Sequence, residues 1–355
     1  MLGIVGNVYS LCARQRFVEK FVSRAVAKHR SQTLRHASSF AAGATSPVKC
    51  SRLSSRALLR VSGKDSENLL QGLITNDMGL MRNERAIYTM LLNLQGRVLY
   101  DAIIYREEPS EVSAAPAYYL ECDANVVDEL QKHLKTYKLR KKVVVTNVSS
   151  EYEAWAVYNN GGAIDFTSSP PISVADPRVP SVGHRLLVQK NMSLPDMDSN
   201  LCEVPLTEYD THRYLHGIPE GIKDLPPGNS LPLESNLDYM NGVSFHKGCY
   251  LGQELTARTY HTGVIRKRLM PIKFICDEGD RIIKAGETVK TPEGKNAGKF
   301  RNHIGVYGLA LVRMAFSDNL LRVSSENGHT YEVKASVPGW WPHKSSDDVS
   351  KLHSN

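Results

Sequence analysis

Two β-rich runs, "AIYTMLLN" and "RVLYDAIIY", stand either side of "LQG". A turn-length break between two such runs predicts a β-hairpin. "RALLRVSG", "AYYLECD" and "KKVVVTNVS" read as further strands. Between them lie helical patterns. Asp65 is the expected N-cap of "SENLLQGLI", with Leu69, Leu70 and Leu73 on one face, and "VVDELQKHLKTYKL" places Val126, Leu130 and Leu134 at i, i+4 spacing. Short strands with interposed helices predict an α+β fold. A second α+β lobe follows. "YEAWAVY" and "HRLLVQK" are its clearest strands, with a Pro/Ser-rich loop expected over 168–183. Next come a short helix and a long irregular connection, "THRYLHGIPEGIKDLPPGNSLPLESNLDYM", and connections of that length are often functional. From about Arg266 the chain turns to short strands broken by "EG", "PEG" and "ENG", the pattern of a small C-terminal β-barrel. Trp340 and Trp341 are expected to close it, ahead of a polar tail.

The net charge of +7 suggests a nucleic-acid partner until its location is read. Residues 1–50 hold eight Lys/Arg and one acid, which leaves 44 − 8 = 36 basic and 37 − 1 = 36 acidic residues in the body. Nucleic acid is therefore not expected. Arg16, Lys20, Arg24 and Lys28 recur every fourth residue beside Phe17, Phe21 and Val22, and a Ser/Thr-rich, acid-poor stretch follows. That is the composition of a mitochondrial transit peptide, so residues 1–50 are expected to be an address to the matrix. "LGIVGNVYSL" has no basic residue before it, which argues against a secretory signal. No later run approaches the length of a membrane span. The basic run Lys135–Lys142 is equally an acidic-partner patch or a solvated helix end.

Six cysteines are scattered, none in a C-x-x-C pair, which argues for a reducing compartment and against a zinc ribbon or disulfide scaffold. One lies in a crowded stretch, "HKGCYLGQELTAR". Gly248 and Gly252 permit a tight turn around Cys249. "GQELTAR" is rich in helix formers, which sets Cys249 just before a helix N-terminus, where amides and the dipole favour a thiolate. Lys247 and His246 add positive charge and are expected to favour it further. The residues alone leave three readings open: a nucleophile with His246, His261 or His212 as base, a metal ligand, or a small buried residue. The cluster version of the metal reading has a consequence. Iron–sulfur clusters usually take four protein ligands, and the nearest cysteines, Cys202 and Cys276, are not at ligand spacing. The other ligands of such a cluster would come from another molecule.

"KGCYLGQE" resembles the signature of the YgfZ-type proteins, relatives of the glycine cleavage T-protein. The blocks "LLQGLITND", "LLNLQGRVLYD", "YKLRKKV", "RYLHGIPE", "LPLESNLD" and "GLALVR" are similar to family blocks in family order, over roughly residues 51–345. The resemblance implies a three-lobed, T-protein-like cloverleaf. Residues 51–264 would be a folate-binding-fold module of two interleaved α+β lobes, 265–345 the barrel and 346–355 the tail. With the leader, it implies the mitochondrial branch: assembly factors for four-iron clusters that work with A-type scaffold proteins. No resident cofactor is implied, only a transient two-iron or four-iron cluster shared through Cys249. The site it marks is Cys249 with Lys247, Gly248, Gly252, Gln253, Glu254 and Arg258. Glu254 and Arg258 are equally an i, i+4 brace of their helix. T-proteins hold tetrahydrofolate in the central hole, and the positions similar to that site are Asp101, Arg213, Glu234 and Asn236. The chain departs from T-proteins at two of their motifs. Only Asp101 remains of an aspartate pair, and Leu215 stands where T-proteins carry a glutamate for the pterin. These departures weaken one alternative, a folate-dependent aminomethyltransferase, and leave the other open, a folate-binding module without chemistry.

Overall fold

The "LQG" hairpin stands at one edge of the first lobe's sheet and buries both of its faces. A computed structural model describes residues 48–108, 115–159, 172–197, 199–276 and 281–342. Most of the expected leader and the 346–355 tail fall outside them. After strand β1 (Val48–Arg52) the first lobe runs β2 (Arg56–Ser62), α1 (Ser66–Gln71), β3 (Ala86–Leu92), β4 (Val98–Arg106), β5 (Ala117–Asp123), α2 (Val127–Lys138) and β6 (Val144–Asn147). Its sheet is antiparallel in the order β3-β4-β5-β2-β6. Every residue of β3 is buried. Strand alternation sends Tyr88, Met90 and Leu92 into the core shared with the second lobe, and Ile87 and Leu91 into a core closed by Leu69, Leu70, Leu130 and Leu134 of the helices.

The second lobe contains β7 (Tyr152–Tyr158), β8 (Ile172–Ala175), β9 (His184–Gln189), α3 (Leu194–Met197) and β10 (Leu201–Glu203). Its sheet order is β10-β1-β7-β9-β8. Strand β1 thus leaves the N-terminal side of the first lobe to pair with β7 and, in parallel, with β10. Its residues Val48 to Cys50 lie within the segment expected to be leader. Helices α4 (Leu206–Leu215) and α5 (Gly221–Asp224) follow, then an irregular connection to α6 (Gln253–Thr262).

The C-terminal strands β11 (Lys267–Phe274), β12 (Thr288–Lys290), β13 (Asn296–Ile304), β14 (Tyr307–Arg313), β15 (Leu320–Ser324) and β16 (Thr330–Ala335) close into the expected barrel, with β16 pairing back to β11. Trp341 is buried against the barrel core, and Trp340 Nε1 donates to the His216 carbonyl at 2.8 Å. Asp65 takes the expected N-cap position of α1, but its side chain makes no cap bond; its carboxylate accepts the Lys142 N–H at 2.7 Å and so ties the α2–β6 connection to the start of α1. One local expectation fails. Strand β8 forms inside the expected 168–183 loop because β9 offers it an edge to pair with.

The two α+β lobes meet on charge. Glu121 of β5, wholly buried, accepts from Arg56 Nε at 2.9 Å, Arg185 Nη1 at 3.1 Å and the Tyr105 hydroxyl at 2.6 Å. Arg178 forks onto Asp176 and reaches Glu220 at 2.8 Å, while Arg185 also bonds Glu220. Burial alone would raise the Glu220 carboxyl, but Arg185, Arg178 and Arg56 hold it well below its ordinary range, and Asp176 is lowered likewise by Arg178 and Arg185. Removing one member leaves an uncompensated buried charge. Arg185→Met is therefore expected to cost about 3–5 kcal/mol in urea unfolding. The sign of the acid dependence follows from the two lowered carboxyls. Their stabilisation is present above the ordinary values of 4.5 and 3.8 and is lost as pH falls below them through the folded-state values, so the wild type should lose stability below about pH 4.5. An Arg185→Met variant as stable as wild type would contradict this account of the lobe contact.

Candidate functional site

Residues 241–253 wrap around the C-terminal end of α1 and the segment after it. Thr75 Oγ1 donates to the Gly242 carbonyl at 2.7 Å, Asn76 Nδ2 to the Asn241 carbonyl at 2.7 Å, and the Ser244 N–H to the Thr75 carbonyl at 3.1 Å. Lys247 makes the tightest part of this seam. Its Nζ donates to the carbonyls of Gln71, Ile74 and Asn76 at 2.8, 2.9 and 2.6 Å. All three ammonium donors are thereby engaged. Burial pulls its pKa down to about 8, with Asp77 pushing back. The structure thus gives Lys247 a different role from the expected thiolate partner: it clamps the cysteine loop to α1.

The turn after Cys249 is stiff for a second reason. Gly252 sits at φ +76°, and a Cβ there would meet the Asn93 carbonyl oxygen at 2.2 Å. Gly96, in the β3–β4 turn, is also at φ +76°, and its Cβ would lie 2.9 Å from the Gly252 carbonyl. Two left-handed glycines thus pack back to back and join the loop to the hairpin. Gln253 closes the turn by accepting the Tyr250 N–H on Oε1 at 3.1 Å, while the Leu251 N–H goes to the Gly72 carbonyl at 3.0 Å. The two amides that follow Cys249 are therefore taken and do not face the thiol. Gly248 differs from Gly252: nothing stands within 4 Å of a Cβ built there, and its φ is not positive.

On this base Cys249 itself is exposed, which removes the buried-residue reading. Gly248, His246, Glu254 and Arg258 are exposed around it in sequence, and Tyr250 is buried beneath. The i, i+4 brace is not formed: among the described residues no ion pair joins Glu254 to Arg258. Helix α6 is held by Tyr260, whose ring stacks on Phe245 at 3.6 Å between centroids. Of the three candidate bases, His212 is excluded. It stacks on Tyr158, its Nε2 lies 2.8 Å from the Val182 carbonyl, and burial pulls its pKa down to about 4. Among the described residues no group of three or more His, Cys, Asp or Glu is placed to hold a metal.

Of the four positions expected for tetrahydrofolate, the ligand implied by the fold family, three are engaged within the protein. Asp101 Oδ2 pairs with Arg56 Nη2 at 3.2 Å and Oδ1 accepts the Gly221 N–H at 3.1 Å. Arg213 is bonded to Asp224 and, at 2.7 Å, to Asp210. Asn236 donates Nδ2 to the Leu269 carbonyl at 2.8 Å from a left-handed backbone, φ +62°. Glu234 lines a separate pocket against α6. Arg56 Nη1, the Tyr88 hydroxyl and Asp101 Oδ2 are nevertheless buried without hydrogen-bond partners, the last held to Arg56 by charge alone.

Residues 47–158 match the GCVT N-terminal domain and residues 266–343 the CAF17 C-terminal beta-barrel domain. The iron-sulfur cluster assembly factor IBA57, mitochondrial, of Homo sapiens is 45% identical over 309 residues, spanning 82% of this chain and 85% of that protein. The chain belongs to the IBA57 family. A more distant member, the IBA57 homolog of Mycosarcoma maydis, is 34% identical over 361 residues, or 86% of this chain and 88% of that one. The names of these IBA57 proteins agree with the mitochondrial location expected from the leader. Glycine cleavage system aminomethyltransferase T from Bartonella henselae shares the fold, with a TM-score of 0.65 over 83% of this chain and 87% of its own at 16% identity.

What sequence reasoning missed in this IBA57-family site is mostly backbone. The carbonyls of Gln71, Ile74 and Asn76 carry no side-chain signature, although they lie within the "LLQGLITND" block. Gly252→Ala is expected to destabilise the protein by about 1–3 kcal/mol through strain and collision with Asn93. Gly248→Ala should stay within about 0.5 kcal/mol of wild type. Denaturant titration of both variants tests the contrast; equal effects would mean that the turn is not held as described.

Proposed function

We propose that the protein assists the maturation of four-iron iron–sulfur proteins in the mitochondrial matrix, acting with an A-type scaffold protein. Cys249 donates its thiolate as one ligand of a cluster shared between the two proteins. The observation that carries this reading is the contrast within one loop. Lys247, Gly252 and Gln253 fix the backbone through buried contacts, yet the thiol at the tip is exposed and has no co-ligand group among the described residues. A resident cluster would need several thiolates; a preorganised single donor suits a site completed by a partner. Glu254 and Arg258, exposed and not paired with each other, are available to contact that partner. The IBA57-family names supply the process, iron–sulfur assembly.

The transferase alternative loses support at its key carboxylate, because Asp101 is held by Arg56 and Gly221 inside the lobe contact. The test mixes the protein with an A-type scaffold carrying a two-iron cluster and follows the complex by gel filtration and visible circular dichroism. Wild type should co-elute with iron and alter the cluster's dichroism. Cys249→Ser should retain the fold, since its side chain lies outside the core, and lose the dichroism change. A Cys249→Ser protein that reproduces the wild-type spectrum removes Cys249 from the mechanism.

A further inference from the structure

A pocket of about 310 Å³ lies between residues 231–234, helix α6 and the start of β11. Its walls are aliphatic: Leu231, Leu233, Leu255, Val264 and Ile265. Five polar side chains also line it, Glu234, Thr256, Thr259, Arg266 and Lys267, and among the described residues none makes a side-chain hydrogen bond or ion pair.

Thr256 is the most deeply buried of the five. It is 2% exposed, in the middle of α6, and its hydroxyl has no hydrogen-bond partner. A helical threonine commonly returns its hydroxyl to the carbonyl four residues back. Thr262 does so to Arg258 at 2.9 Å, and Thr211 to Thr207 at 2.7 Å. The Thr256 hydroxyl does not do so and is sealed inside the helix packing, behind the pocket wall. Glu234 is half-buried, and among the described residues its carboxylate makes no hydrogen bond or ion pair. Arg301 is the nearby cation it influences, but Arg301 Nε is itself buried without a partner. At the rim, Arg266 and Lys267 likewise have no side-chain partner among the described residues. The contrast with the lobe contact is plain, where Glu121, Asp176 and Glu220 each bond two or more donors.

An unpaired acceptor and two unpaired cations around aliphatic walls define a ligand by chemistry. We propose that this pocket binds a small apolar zwitterion. Its ammonium group faces Glu234, its hydrocarbon body packs on the leucines, and its carboxylate meets Arg266 and Lys267. The volume lies at the small end of ligand pockets and excludes a large, multi-ring molecule from full burial. The site is independent of the cluster proposal, although α6 connects it to the Cys249 turn.

The experiment uses 4-(aminomethyl)benzoate as probe on the full chain, with isothermal calorimetry, and benzylamine and benzoate as single-ended controls. The probe should bind saturably at one site, and each control at least about fivefold more weakly. Glu234→Gln should weaken the probe about tenfold and leave benzoate unchanged. Lys267→Met, a rim change that keeps the fold, should weaken the probe and benzoate but leave benzylamine unchanged. Absence of saturable probe binding overturns the proposal, and so does Lys267→Met and Glu234→Gln binding the probe as wild type does.

Discussion

Three guanidiniums, Arg56, Arg178 and Arg185, share one interior with four carboxylates, Asp101, Glu121, Asp176 and Glu220. They come from β2, β4, β5, the β8–β9 connection, β9 and the stretch before α5, so the contact cannot form until both lobes and the connection are in place. Such a network is a weak source of net stability, because desolvation offsets much of the attraction. Its value lies in specificity: each misplaced partner leaves a buried charge. Asp101 and Asp123 also accept the N–H groups of Gly221 and Ile222, which pins the start of the long connection to the first lobe. From there Gly228 and Ser230 bond the backbone of Val98, and Asn236 bonds the Leu269 carbonyl at the barrel. The cysteine loop is the end of this anchored path.

The same logic separates the ends of the cysteine loop from its tip. Buried hydrogen bonds and two left-handed glycines hold its base, while no contact of comparable strength restrains the Cys249 side chain. A fixed backbone lowers the ordering cost of bringing a donor to a ligand that another protein carries. A chain with its own complete ligand set would keep a cluster; one donor on a stiff support suits its passage between proteins. The Asp101 carboxylate, in contrast, is held within the lobe contact.

The parts of the fold that depend on neighbours in sequence were legible there. The "LQG" hairpin, the "ENG" turn of the barrel and the helix after Gly252 each follow from local pattern and turn chemistry. The parts that depend on distant partners were not. Arg185 reads in "HRLLVQK" as an ordinary strand residue, and nothing near it names Glu121 or Glu220. Lys247 reads as a charge beside a thiol, because its true acceptors are carbonyls some 170 positions away in sequence. Gly248 and Gly252 look equivalent in sequence, yet only the second is required by backbone sign and by the approach of Asn93. The Cys249 motif was legible as a candidate, but its exposure was not, since the same glycine-flanked cysteine serves equally in a core.

The central claim is that Cys249 bonds the iron of a cluster held jointly with a scaffold. Replacing Cys249 by selenocysteine and recording selenium-edge X-ray absorption on the complex with a two-iron scaffold observes that bond directly. The account predicts an iron shell at bonding distance from selenium in the complex and none in the free protein. A selenium spectrum that shows only carbon neighbours in an iron-loaded complex would contradict it.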